Sequence, residues 1–199
     1  MTDDPPFPLP PVTLILGGAR SGKTRAALDW AESLGPTRVY IATAEAGDPE
    51  MAARIARHRA ERGPGWRTLE AATDLAGALA QVGEVSDADE RAHAVAPEGR
   101  ADAVMVDCLT LWLSNLFGAG RDPEAEAEAL IATLASARVP TLLVSNEIGM
   151  GLVPDTPLGR SFRDAQGRLN QRIAAAVGHV VFVAAGLPLR MKGEGRYFP

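Results

Sequence analysis

Three groups of residues in this chain could do chemistry. The first is Gly17-Gly18-Ala19-Arg20-Ser21-Gly22-Lys23-Thr24, which fits the G-x-x-x-x-G-K-[ST] pattern of a phosphate-binding loop. Glycines let such a backbone curl until its amides point at phosphate oxygens. The N-terminus of a following helix favours an anion. Lys23 is placed to reach β and γ phosphates, and the Thr24 hydroxyl to ligate Mg²⁺. A chance glycine-rich turn is the plainer alternative; the apolar run before the motif and the helix formers after it speak for the phosphate loop. Asp107 belongs with this group. It ends a later apolar run, where a carboxylate is the usual second partner of the P-loop metal. It reads alternatively as the N-cap of a helix that begins at Leu109-Thr110.

In the second group, Glu50, Arg54, His58 and Arg62 recur every four residues and so share one helical face. Met51 and Ile55 lie on a neighbouring apolar stripe. Arginines grip phosphate oxygens in fork geometry. Nearby cations favour the neutral imidazole, its nucleophilic form. A histidine so placed near phosphates suggests a covalent phosphoramidate; the same pattern reads equally as a solvated charged face with an incidental histidine. His93, in a polar stretch, and His179, at a strand start, lack such surroundings.

The third group runs from Gly159 to Gln171. Arg160, Arg163, Asp164, Arg168 and Gln171 cluster on one helical face, while Phe162, Leu169, Ile173 and Val177 can pack on a sheet. The polar face suits an anionic substrate or a subunit contact, or is simply the outside of an amphipathic helix. The glycines of the preceding loop, Asn146 to Pro154, allow close approach of a large ligand.

The elements that must position these groups alternate along the chain. Strands are expected at Val12–Leu16, Arg38–Ala42, Ala103–Val106, Pro140–Ser145 and His179–Ala184, as short apolar runs bounded by Gly, Pro or polar residues. Helices are expected at Lys23–Ser33, Pro49–Arg62, Asp74–Val82, Leu109–Phe117 (buried), Glu124–Ala137 (exposed) and Leu158–Val177. Such alternation predicts an α/β fold, a mainly parallel sheet with helices on both faces. Ligands of such sheets sit at the carboxyl ends of the strands, which directs attention to Gly17–Thr24, Thr43, Asp107 and Asn146-Glu147.

With 199 residues, 46% of them hydrophobic, the chain suits one domain from residue 12 onward. Residues 1–11, acidic and then proline-rich, read as a disordered leader, and Glu84–Arg100 as a polar surface loop. The net charge of −5 gives no footprint for nucleic acid. The single cysteine, Cys108, fits a reducing compartment, hence the cytoplasm. No apolar run reaches the roughly 20 residues of a membrane span.

Four stretches carry a resemblance: LGGARSGKTRAAL from Leu16, YIATAEAGDPEMAARIARHRAERGPGWRTLE from Tyr40, DCLTLWLSNLF from Asp107, and VSNEIGMGLVPDTPLGRSFRDAQGRLNQRIA from Val144. Together they resemble the bifunctional adenosylcobinamide kinase/adenosylcobinamide-phosphate guanylyltransferase family of cobalamin biosynthesis. The resemblance implies a RecA-like P-loop NTPase fold and a homotrimer. It implies phosphorylation of adenosylcobinamide by ATP or GTP, then transfer of GMP from GTP to adenosylcobinamide phosphate through a GMP-histidine, with His58 as that histidine and Lys23 as the second catalytic residue. Nucleotide contacts carry over to Gly17, Gly18, Ala19, Arg20, Ser21, Gly22, Lys23 and Thr24, to Ala42, Thr43 and Ala44, to Arg59, Ala60, Glu61 and Arg62, and to Glu70 and Asp107. A simple P-loop kinase, a nucleotide-switched regulator and a transferase lacking kinase activity are the rival readings.

Overall fold

The computed structural model describes residues 12–60, 62–82 and 101–194, except the side chain of Arg54. The expected leader and the expected loop at Glu84–Arg100 lie outside the described residues. In chain order the elements are β1 (Val12–Gly17), α1 (Lys23–Leu34), β2 (Arg38–Ala42), α2 (Pro49–Ala60), β3 (Trp66–Glu70), α3 (described over 75–82), β4 (Ala103–Asp107), α4 (Leu109–Gly118), α5 (Pro123–Ala135), β5 (Thr141–Asn146), α6 (Pro157–Ala176), β6 (His179–Ala184) and β7 (Leu187–Lys192). The seven strands form one sheet in the order β3-β2-β4-β5-β1-β6-β7. All neighbours are parallel except β6 and β7. The α/β architecture expected of a P-loop protein is the one observed.

Alternation along the central strands builds the two faces. Leu14, Val39, Ile41, Val106 and Leu143 pack with α3 to α6 on one side of the sheet; Ile15, Tyr40, Met105, Leu142 and Val144 pack against Ala27, Leu28, Trp30 and Ala31 of α1 on the other. Strands buried on both faces read as unbroken apolar runs, which is why β1, β4 and β5 are plain in the sequence. Helices α5 and α6 start where proline at the first turn meets a side-chain cap: the Asp122 carboxylate accepts from the Glu124 N–H, and the Thr156 hydroxyl from the Gly159 N–H.

Three expectations need correction. Two strands were not expected. β3 reads Trp-Arg-Thr-Leu-Glu and β7 reads Leu-Pro-Leu-Arg-Met-Lys; both are edge strands without a fully buried residue, so the unbroken apolar run dissolves. Helix α5 is not simply exposed, because Ala127, Leu130 and Leu134 are buried on one side. Helix α2 ends at Ala60, so Arg62 is not on it; Gly63-Pro64-Gly65 turns the chain into β3 instead.

The register of β2 on β4 sets the edge where chemistry could occur. Ala42 pairs with Asp107. One residue further, the Thr43 hydroxyl donates to the Cys108 carbonyl at 2.8 Å and accepts from the Cys108 N–H at 2.7 Å. Thr43 is fully buried, and its carbonyl accepts from the Asn115 side-chain amide at 2.7 Å. The hydroxyl thus locks the end of β2 to the turn that follows β4. Thr43→Val keeps the shape and strands the Cys108 N–H, while the Cys108 carbonyl keeps its bond from the Trp112 N–H at 3.1 Å. At about 1–3 kcal/mol for a buried group left unpaired, urea denaturation is expected to show a loss of about 2 kcal/mol; a change under about 0.5 kcal/mol would mean that the latch carries no weight.

Candidate active site

The P-loop connects β1 to α1. Its glycines answer to space and to backbone angle. A Cβ on Gly17 would sit 2.5 Å from the Ser21 Oγ and 2.5 Å from the Val183 carbonyl oxygen; Gly22, the N-cap of α1, has φ of 93°, a left-handed value. The loop closes around the Gly18 carbonyl, which accepts from the Ser21 N–H at 3.2 Å and from Lys23 Nζ at 2.9 Å. The β6–β7 hairpin props it from behind. The two turn residues Ala185 and Gly186 both have positive φ, as a tight primed turn needs, and the Gly186 N–H donates to the Ser21 carbonyl at 2.8 Å. Thr24 sits half-buried in the first turn of α1, and Arg20 and Ala19 are exposed at the loop tip.

A cavity of about 560 Å³ opens at the carboxyl ends of β2, β3 and β4, roofed by α2. His58, Arg59, Met51 and Ile55 reach it from α2 or its end, Arg62 from the turn before β3, Ala42, Ala44 and Glu70 from strand ends, and Asp107 from β4. Of the second group, His58 and Arg62 come together here, by two routes, His58 from the helix and Arg62 from the loop beyond it, whereas Glu50 does not line the cavity. Asp107 is the centre. Its Oδ2 accepts from the Tyr40 hydroxyl at 2.9 Å and lies 3.9 Å from His58 Nδ1. The N-cap alternative for Asp107 is not realised, since α4 is capped by Cys108 without a side-chain bond.

Around this carboxylate the charges are ordered. The Arg62 guanidinium stacks over the Tyr40 ring, 3.6 Å from its centroid, a cation–π contact, and donates to Thr68 Oγ1 at 3.4 Å. Arg59 faces Glu70 at 3.6 Å, both largely exposed. Burial, and then the Asp107 charge, push the Tyr40 phenol far above its usual range, so it remains a donor at any neutral pH. The same two causes push the Cys108 thiol up to about 11, which leaves it protonated and unreactive.

The P-loop does not line this cavity. It lies at the end of β1, with β5 between β1 and β4, so Gly17 and Asp107 stand two strand spacings apart, roughly 10 Å across the sheet. Thr43 turns inward and does not line it either, and Ala60 is exposed at the end of α2. Glu61 and the side chain of Arg54 lie outside the described residues.

The family model described as "Cobinamide kinase / cobinamide phosphate guanyltransferase" matches residues 13–191. The chain belongs to this family. As a member of the cobinamide kinase/guanyltransferase family it is an enzyme of cobalamin biosynthesis, bifunctional as kinase and guanylyltransferase. It is similar to the bifunctional adenosylcobalamin biosynthesis protein CobP of Pseudomonas aeruginosa, 46% identical over 184 residues, covering 91% of this chain and 97% of that protein. It is also similar to the bifunctional adenosylcobalamin biosynthesis protein CobU of Escherichia coli, 37% identical over 198 residues, covering 90% and 98%. Among solved structures, the RadB recombinase superposes with a TM-score of 0.38 at 14% identity, covering 86% of this chain and 73% of that one.

Two features of this family member near the strand ends carry no plain signal in the sequence. Tyr40 sits inside an apolar strand and reads as core; the available signal is that Val39 and Ile41 point to one face and leave the phenol on the other, where a buried hydroxyl needs a partner. The second part is a buried polar cluster behind the loop after β5. Ser145 Oγ donates to Asn170 Oδ1 at 2.7 Å, Gln166 Nε2 donates to both at 3.0 Å, and the Asn170 amide donates to the Asn146 carbonyl at 3.1 Å. Gln166 and Asn170 stand within the buried stripe of α6, and that placement was the signal. The outward arginines of α6 are partly committed within the chain: Arg160 to the carbonyls of Pro154 and Asp155, and Arg168 to Glu124.

Proposed function

We propose that this enzyme phosphorylates the aminopropanol hydroxyl of adenosylcobinamide with ATP or GTP and then transfers GMP from GTP to the phosphate through a GMP–His58 intermediate, releasing pyrophosphate and giving adenosylcobinamide-GDP. One observation carries the reading: an imidazole, two guanidiniums and the Asp107 carboxylate converge on one cavity beside a P-loop. In the kinase step Lys23 and the loop amides hold the γ-phosphate for attack by the substrate hydroxyl. In the transfer step the neutral His58 attacks the α-phosphorus, and Arg59 and Arg62 offset charge on the phosphoryl oxygens and the leaving pyrophosphate. Nucleotide contacts are assigned to Gly17–Thr24, to Ala42 and Ala44 and the backbone at Thr43, to residues 59–62, and to Glu70 and Asp107. The Ser21 hydroxyl, buried and without a hydrogen-bond partner among the described residues, is of the kind a phosphate oxygen would satisfy.

Mg²⁺ fits the donors. Thr24 and Asp107 offer hard oxygens, and no group of three or more His, Cys, Asp or Glu side chains suited to a metal occurs among the described residues. A cation that keeps several waters and shares phosphate oxygens needs no more than this pair. When bound it would neutralise phosphate charge.

The chain is proposed to work as a single domain from residue 12 and as a homotrimer in the cytoplasm, where ATP and GTP are supplied. Exposed apolar side chains support association: Met150, Leu152 and Val153 on the loop after β5, with Leu152 96% exposed, and Leu187, Leu189 and Met191 along one side of β7. No helix of the described residues is long and apolar enough to cross a membrane, and the acidic chain gives no reason to invoke nucleic acid.

Incubation with α-labelled GTP is expected to leave an acid-labile label on the peptide that contains His58. His58→Ala should abolish labelling and guanylylation, with kinase turnover still measurable; Lys23→Ala should lower both reactions by at least about a hundredfold. Loss of kinase and transferase together in a folded His58→Ala protein contradicts the division of labour, and phosphorylation without any labelled protein leaves a simple kinase. Sedimentation equilibrium is expected to return the mass of three chains; a monomer refutes the assembly.

A further inference from the structure

Inside the cavity the His58 imidazole faces a carboxylate. His58 presents Nδ1 to Asp107 Oδ2 at 3.9 Å, with 26% of the His58 side chain and 11% of the Asp107 side chain exposed. Among the described residues Asp107 is the carboxylate this ring faces. The separation exceeds a hydrogen bond, but catalytic contacts without substrate are often long and tighten in the complex. Asp107 is itself held. The Tyr40 hydroxyl donates to that same Oδ2 at 2.9 Å. The Tyr40 ring is fixed between the Arg62 guanidinium stacked on it and Trp66 packed edge-on, with ring centroids 6.1 Å apart.

We propose that Asp107, oriented by Tyr40, fixes the His58 tautomer that keeps the proton on Nδ1 and presents the Nε2 lone pair to the α-phosphorus of GTP. Asp107 and Tyr40 are then positioning residues for guanylyl transfer. The inference rests on the GMP–His58 reading above. In the first half-reaction the Nε2 lone pair forms the bond to the α-phosphorus, and the bond from that phosphorus to the bridging oxygen breaks. Pyrophosphate leaves with the electron pair. The ring, retaining its Nδ1 proton, becomes cationic, and that charge faces the Asp107 carboxylate. In the second half-reaction a phosphate oxygen of the acceptor attacks, the phosphorus–nitrogen bond breaks, and its electron pair returns to Nε2. No proton is gained or lost by the ring, so the carboxylate serves orientation and charge. This is the arrangement by which a second nitrogen's partner sets which imidazole nitrogen is reactive.

The test is a ¹⁵N spectrum of the full-length protein labelled at histidine, which reads the nitrogen that carries the proton, combined with the rate of His58 labelling by α-labelled GTP. The expected wild-type spectrum shows the Nδ1–H form. Tyr40→Phe, which keeps the ring, is expected to shift His58 toward the Nε2–H form and to slow labelling about tenfold, the worth of one hydrogen bond to a charged group. Half-saturating GTP should stay within about twofold, since orientation and not binding is lost. An Nε2–H tautomer in the wild type, with His58 labelled normally, overturns the inference and leaves the transfer reading intact. A Tyr40→Phe loss that lies wholly in GTP affinity, with the tautomer unmoved, also overturns it. No label on His58 in the wild type removes the transfer reading, and the inference with it. Because the wild-type spectrum decides the tautomer, the test stands even if a variant fails to fold.

Discussion

The cavity edge of this enzyme, its candidate active site, depends on the pairing of β2 with β4. Ala42 opposite Asp107 places Tyr40, two residues earlier, where its hydroxyl can reach Asp107 Oδ2. The Thr43–Cys108 exchange of hydrogen bonds then stops the two strand ends from sliding. A slip of one residue would turn Tyr40 to the opposite face and exchange it for Val39 or Ile41. The carboxylate would then lose its donor, and the cavity beneath α2 its floor.

The phosphate loop is held by different means. It has few side-chain anchors and relies on tight backbone geometry: Gly17 against Val183, Gly22 in a left-handed conformation, and the hairpin turn at Gly186 bonded to Ser21. β7 thus has a use beyond closing the sheet, because its turn stiffens the loop that would receive phosphate. The two parts of the site lie on one edge with β5 between them. The loop after β5, anchored through the Asn146 carbonyl by Asn170, sits where both would be approached.

The central sheet was legible because its strands are buried on both faces and announce themselves as apolar runs. The P-loop was legible because its glycines and lysine are demanded by phosphate geometry at fixed spacing. Of the four-residue repeat at Glu50, Arg54, His58 and Arg62, His58 and Arg62 line one cavity, Arg62 arriving there past the end of the helix and through its stack on Tyr40. What the sequence did not disclose depends on long-range partnership. Tyr40 and Asp107 are separated by 67 positions, and nothing local to either says that they meet. Edge strands β3 and β7 stayed hidden because their solvent-facing residues mask the strand period.

The most direct measurement of a covalent GMP-enzyme formed on this edge is exchange of labelled pyrophosphate into GTP in the absence of any cobinamide. An imidazole that takes GMP from GTP without an acceptor must also return it to pyrophosphate, so label is expected to appear in GTP at a rate that rises with pyrophosphate and vanishes in His58→Ala. Exchange that requires the cobinamide phosphate, or none at all from an enzyme that turns over normally, would contradict the account and point to direct transfer between the two substrates.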